Sequence, residues 1–158
     1  MLERDAGDRP MIAPLARLVS GPISQDEVVR GLTSPERGAV VVFSAVVRSH
    51  GSGRAVTAVT YDAEAPVAVR AMEEMGQEAV ARFGPDLGVV LLHRIGRLEV
   101  GEACLVVGAA SVHREEAFDA ARWLLEQWKL RKPVPKREHF ADERPPAARC
   151  RGLRATVT

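Results

Sequence analysis

Aromatic residues are scarce in this chain: four Phe, two Trp and one Tyr among 158 residues. A protein that reads unpaired bases needs stacking surfaces at intervals along its strands, and these few disfavour a base-stacking nucleic-acid binder. Only two cysteines occur, Cys104 inside an apolar run and Cys150 in a basic tail. They make neither a disulfide framework nor a metal set, which fits a reducing, cytoplasmic setting. No apolar run approaches the roughly 18 residues that a membrane span requires. The opening MLERDAGDRP carries acids where a secretory signal would carry an apolar stretch. The histidines, at 50, 93, 113 and 139, lie too far apart in sequence for a local metal site. Phosphate-loop, zinc-protease, Cys-x-x-Cys and nucleophile-elbow motifs are missing as well. What remains is chemistry on an anion, without metal or cofactor.

The length suits one domain with a real core, expected over residues 11–140 between a flexible 1–10 and a basic, Pro/Arg-rich tail at 141–158. A composition 46% hydrophobic and 27% charged is that of an ordinary globular protein. The formal net charge of +1 conceals a division. From Lys129 to the end there are nine Lys/Arg against three acids, +6, which leaves 13 cations and 18 acids, −5, in the rest. So local a positive field points to an anionic partner: nucleic acid, a phosphorylated small molecule or an acidic protein tail.

LARLV at 15–19 reads as a short strand, and Ser24 and Glu27 stand at capping-box spacing ahead of a short helix. GAVVVFSAVVR, 38–48, is a β-branched strand that stops at the small, glycine-containing loop SHGSGR. The alternating AVTAVTYD after it reads as a second strand, and the two together as a hairpin. Pro66 suits the first turn of a helix in which Ala68, Met72, Met75, Ala79 and Phe83 recur at helical spacing until Gly84. Strands follow at 88–96 and 103–113, with LEVGE at 98–102 as the turn between them. A last helix carries the stripe Ala117, Phe118, Ala121, Leu124, Leu125 and Trp128, with acids in its first turn and cations in its last, and Pro133 ends it. The order β-α-β-β-α-β-β-α predicts an α+β fold, a largely antiparallel sheet with helices packed on it.

Two places concentrate chemistry. WKLRKPVPKRE, from Trp128 to Glu138, holds five cations and two prolines in eleven residues. Lys129 follows Trp128 at the border of the apolar stripe, where a half-buried ammonium beside Arg131, Lys132 and Lys136 is expected. A partly desolvated lysine among cations can serve as general acid, base or nucleophile. The plainer alternative is a solvated cluster that complements the helix dipole. The prolines favour function, because they aim Lys136 and Arg137. At the other end of the helix, His113 and Arg114 stand where free backbone N–H groups attract anions, though a capping histidine and a surface arginine would look the same. Arg48, before the glycine loop, is a third candidate.

GAVVVFSAVVRSH, LLHRIGRLEVGE, SVHREEAF and WKLRKPVPKRE, in this order and spacing, resemble the large, catalytic subunit family of molybdopterin synthase, over about Gly38 to Glu138. That resemblance implies a fold of the α/β hammerhead type. It also implies an activity: sulfur transfer to cyclic pyranopterin monophosphate, forming the molybdopterin dithiolene, from a thiocarboxylate on the C-terminal Gly-Gly tail of a small ubiquitin-like partner subunit. Two large subunits pair, with a small one at each outer end, so the implied assembly is a homodimer within a heterotetramer. Position by position, the family's essential lysines fall on Lys129 and Lys136. Its substrate contacts fall on Val46, Val47, Arg48, His113, Arg114, Arg137 and Glu138. The chain departs from the family at Pro135, where an aromatic is usual, at Val46, where lysine is common, and in a tail without tryptophan. The competing readings are a non-catalytic anion- or RNA-binding module built on 129–154, and a paralogue inactivated at Pro135.

His113 and Lys129 are sixteen residues apart, so a straight helix would separate them by about 24 Å at ~1.5 Å per residue. If both serve one small substrate, they come from different copies of a symmetric dimer.

Overall fold

Two long apolar strands with no polar alternation can persist only where both faces of a sheet are covered, and the runs GVVLL at 88–92 and ACLVVGAA at 103–110 are such strands. The structure, a computed structural model, describes residues 15–143. The expected flexible segment 1–10 and, beyond residue 143, the expected tail with Cys150 lie outside the described residues. In chain order the elements are β1 (Leu15–Val19), α1 (Gln25–Leu32), β2 (Ala39–Val46), β3 (His50–Gly51), β4 (Arg54–Tyr61), α2 (Ala65–Phe83), β5 (Gly88–Arg94), β6 (Gly96–Glu99), β7 (Ala103–Ser111), α3 (Arg114–Arg131) and β8 (Lys136–Phe140).

They form two sheets. The first runs β1-β5-β7-β2, with β1 parallel to β5 and the other pairs antiparallel. Val89, Leu91, Leu105, Val107 and Ala109 point to one face, into a core shared with Met72, Met75, Ala79, Ala120, Ala121 and Leu124 of α2 and α3. Their alternate neighbours Val90, Val106 and Ala110 point to the other face, under Val28 and Leu32 of α1. Gly108 lets α1 lie close: a Cβ there would stand 2.5 Å from Leu32 Cδ1 and 3.1 Å from Val28 Cγ1. The second sheet runs β3-β4-β6, with β8 on the other side of β4. Its Val56, Val59 and Leu98 join the larger core.

The mixed α+β class and the three helices are as the sequence predicts, and the local signals work. Ser24 accepts a hydrogen bond from the Glu27 amide at the start of α1, and Pro66 sits in the first turn of α2, which Gly84 closes at φ 118°. Three expectations are corrected. The strands at 38–48 and 55–62 do not form a hairpin, because β2 pairs with β7 and β4 with β6 and β8. The loop between them carries the chain from one sheet to the other. The expected turn at 98–102 is tighter than the sequence suggests, since Gly96–Glu99 is strand β6 and only the residues after it turn. Lys136–Phe140, expected only as the chain beyond a helix-ending proline, is an added strand. No helix among the described residues is long and apolar enough to cross a membrane.

Candidate active site

Register decides which residues share an end of the molecule. β2 runs against β7 so that Ala39 lies opposite Ser111 and Val46 opposite Ala103. β5 puts His93 opposite Leu105. Because α3 leaves the Ser111 end and packs back along β7, its C-terminus comes to the end that holds Val46, His93 and Cys104. Its stacking contact with His93 at Trp128 fixes this. Val46–Arg48 and the last turn of α3 therefore share one end. His113 and Arg114, at the N-terminus of α3, lie at the opposite end, beside Gly38, Ala39 and Val112. The span of β2, about 23 Å at ~3.3 Å per residue, agrees with the length of the helix.

Lys129 lies in the last turn of α3 and is exposed, which corrects the half-buried position expected for it. The cause is helix geometry: eight residues beyond the buried Ala121, Lys129 has rotated about 80° from it, and farther still from the mean direction of the buried Ala117, Ala120, Ala121 and Leu124. Its head group faces solvent. Phe118, placed by the sequence in the apolar stripe, is likewise 60% exposed. Lys132 then turns the chain in the left-handed conformation, φ 48° and ψ 56°, its N–H bonded to the Trp128 carbonyl. Arg131 forks onto both carboxylate oxygens of Glu78, tying this end of α3 to α2. The pair raises the Arg131 pKa and lowers that of Glu78.

Beyond the prolines, β8 lies along β4, with Lys136 opposite Tyr61, Arg137 opposite Thr60 and Glu138 opposite Val59. Pro135 has no N–H to give, but its carbonyl accepts the Asp62 N–H at 3.3 Å. Lys136 Nζ donates to Glu138 Oε1 at 2.9 Å, and both Lys136 and Arg137 are exposed. The Glu138 carboxylate presses on Gly51, where an added Cβ would come within 2.8 Å of Oε2. The 46–51 segment is thereby brought against β8. Val47 is buried and pinned at both ends of its peptide unit, N–H to Glu102 O and C=O from Gly101 N–H, while Val46 and Arg48 on either side are exposed.

Sequence reasoning passed over the rings behind these groups. The His93 imidazole stacks on Trp128, centroids 5.1 Å apart and planes 7° off parallel, and meets Tyr61 edge-on at 4.7 Å. Its Nδ1 donates to the Arg94 carbonyl at 2.6 Å. Burial lowers the His93 pKa to about 4, against the opposing effect of that hydrogen bond. Burial, and then the neighbouring Cys104 thiol, push the Tyr61 phenol well above its ordinary value. The one signal in the sequence was a histidine set in an apolar run. Among the described residues no group of three or more His, Cys, Asp or Glu gathers as a metal site.

The class of protein is an α+β scaffold whose cations Lys129, Lys136 and Arg137 stand exposed at the end of α3 and the start of β8. Comparison with known proteins narrows that class. The family described as MoaE protein matches residues 18–131. Molybdopterin synthase catalytic subunit 1 of Mycobacterium tuberculosis is 38% identical over 125 residues, covering 79% of this chain and 84% of that one. The molybdopterin synthase catalytic subunit of Pyrococcus abyssi is 39% identical over 113 residues, covering 72% and 76%. Among solved structures, molybdopterin synthase from Staphylococcus aureus superposes with a TM-score of 0.77 at 27% identity, covering 81% of this chain and 93% of that chain. The chain belongs to the MoaE protein family, whose members named here are molybdopterin synthase catalytic subunits.

Proposed function

We propose that this chain works in the cytoplasm as the catalytic subunit of molybdopterin synthase, moving sulfur from the thiocarboxylated C-terminus of a small ubiquitin-like subunit to cyclic pyranopterin monophosphate. The observation that carries the reading is the meeting of the last turn of α3, the start of β8 and the 46–51 segment at one end of the sheet. Both reactants are anionic, one through its phosphate and the other through its thiocarboxylate. As sulfur bonds to the pterin, water adds to the acyl carbon and the acyl C–S bond breaks, which leaves a carboxylate where the thiocarboxylate was, so fixed cations beside the reacting atoms stabilise charge at each stage. Lys129 and Lys136 are the catalytic pair in this reading. Lys129, on a rigid helix, supplies charge and protons to the reacting sulfur and pterin. Lys136, oriented by Glu138, faces the phosphate or the developing carboxylate. Val46, Val47 and Arg48 form the wall at the strand end, with Arg137 as a second cation. Family membership favours catalysis over a non-catalytic anion- or RNA-binding module.

His113 and Arg114 belong to the same pocket only if a second copy brings them, since one continuous helix holds them about 24 Å from Lys129. A homodimer with two shared sites, each served by one small subunit, meets that requirement. At the α3 N-terminus, Glu116 Oε2 is buried without a hydrogen-bond partner among the described residues.

The test is reconstitution. Mixing the purified chain with thiocarboxylated small subunit and cyclic pyranopterin monophosphate should yield the dithiolene product, and the plain carboxylate form of the small subunit should yield none. Absence of product from a stable complex of the two subunits would overturn the reading.

A further inference from the structure

The two lysine-bearing segments are separate pieces of chain, one the end of a helix and the other the start of a strand, and the prolines between them do not by themselves fix one against the other. His93 touches the supports of both. Trp128, on which its ring stacks, immediately precedes Lys129 on α3. Tyr61, which meets its ring edge-on, is the strand partner of Lys136 on β8. His93 itself sits in the interior strand β5, 2% exposed, and the Nδ1 bond to Arg94 O holds its ring in one orientation. We infer that His93 is a positioning residue, the pin through which the central sheet sets the Lys129 helix end and the Lys136 strand start in mutual register.

The choice of a ring follows from its surroundings. A flat side chain can present a face to Trp128 and an edge to Tyr61 at the same time, and both contacts are then directional. A branched aliphatic residue fills the volume without fixing either angle. Displacements on the order of 1 Å at a reacting group can cost up to about a hundredfold in rate, so a loosened pin should appear in turnover before it appears in the fold. The role does not need the imidazole to carry charge.

The inference rests on the sulfur-transfer reading for its kinetic consequence, but its physical content can be read without it. His93→Phe and His93→Leu both lose the hydrogen bond to Arg94, so the difference between them isolates the flat ring. In the reconstituted complex, His93→Leu should lower kcat about tenfold with KM changed less than about twofold, and His93→Phe should stay within about threefold of wild type. Hydrogen exchange gives the second readout. The Asp62 amide, bonded to Pro135 O, reports the β4–β8 junction, and the Lys132 amide, bonded to Trp128 O, reports the end of α3. Both should exchange faster in His93→Leu and recover in His93→Phe. If His93→Leu does not fold, Trp128→Leu removes the opposite face of the stack from a partly buried position, and should loosen the Asp62 amide on the far side of the pin. Equal damage in the Phe and Leu variants would make the hydrogen bond, not the ring, the operative feature, and would overturn the inference. So would acceleration of only one amide, or wild-type kcat in a folded His93→Leu. If the wild-type complex transfers no sulfur, the functional reading fails, and the two amides still decide whether His93 couples the segments.

Discussion

A chain with Lys129→Ala and a chain with Arg114→Ala should each be inactive alone and active when mixed. The two residues lie at opposite ends of α3, Arg114–Arg131, about 22 Å apart along the axis at ~1.5 Å per residue, and a small phosphorylated pterin cannot bridge that span. In the proposed shared-site dimer the C-terminus of one α3 would be completed by the N-terminus of the other. A heterodimer of the two variants then has one pocket in which both residues are missing and one in which both are intact. Equal mixing with free exchange makes about half of all dimers mixed, each with one working pocket of two, so the mixture should recover about a quarter of wild-type sulfur transfer. The assay is product formation with thiocarboxylated small subunit, before and after exchange, with exchange followed by native mass spectrometry of differently tagged chains. A mixture that stays inactive although mixed dimers have formed would refute the shared pocket.

Replacing Lys136 by Ala should abolish sulfur transfer while moving the melting temperature by no more than about 4 °C, because the Lys136 side chain that pairs with Glu138 is 57% exposed, and such pairs contribute about 0–1 kcal/mol. A large fall in melting temperature would assign the loss to structure instead. Gly108→Ala drives a methyl into the buried Leu32 and Val28, and should cost about 1–3 kcal/mol in urea unfolding; an unchanged midpoint would mean that α1 floats freely on the sheet. The His93 imidazole, held neutral by burial, has a folded pKa of about 4 against an ordinary 6.5. The unfolded chain takes up this proton first as pH falls, so stability from this group is complete above pH 6.5 and is lost progressively down to pH 4, by about 3 kcal/mol in all. Urea midpoints in wild type should therefore fall more steeply over that window than in His93→Phe, and parallel curves would refute the assignment.

The parts of the fold legible in the sequence are those whose signal is local. Met72, Met75 and Ala79 are fully buried because a 3.6-residue period leaves them no other face, and GVVLL and CLVVGAA announce strands covered on both sides. Pairing partners are not local. Nothing in GAVVVFSAVV says that its neighbour is β7 rather than the strand that follows it. KREHF, polar and preceded by prolines, carries no strand signal apart from its fit along β4. The candidate site divides in the same way. The cations and their order along the chain could be read directly, as could the helix length that separates His113 from Lys129. The exposure of Lys129 depends on about 80° of helix rotation that an apolar-stripe reading smooths over. The contact among Tyr61, His93 and Trp128 joins three segments distant in sequence, and only the packed structure brings them together.

Sulfur transfer by wild type and by Lys129→Ala, measured side by side in single turnover with thiocarboxylated small subunit and cyclic pyranopterin monophosphate, tests the central claim most directly. Lys129 is exposed, and among the described residues it has no ion pair or side-chain hydrogen bond, so its truncation should leave the melting temperature and the complex with the small subunit intact. The account predicts product in wild type and a rate lower by about a hundredfold or more in the variant. Product formed by Lys129→Ala at near wild-type rate would contradict it.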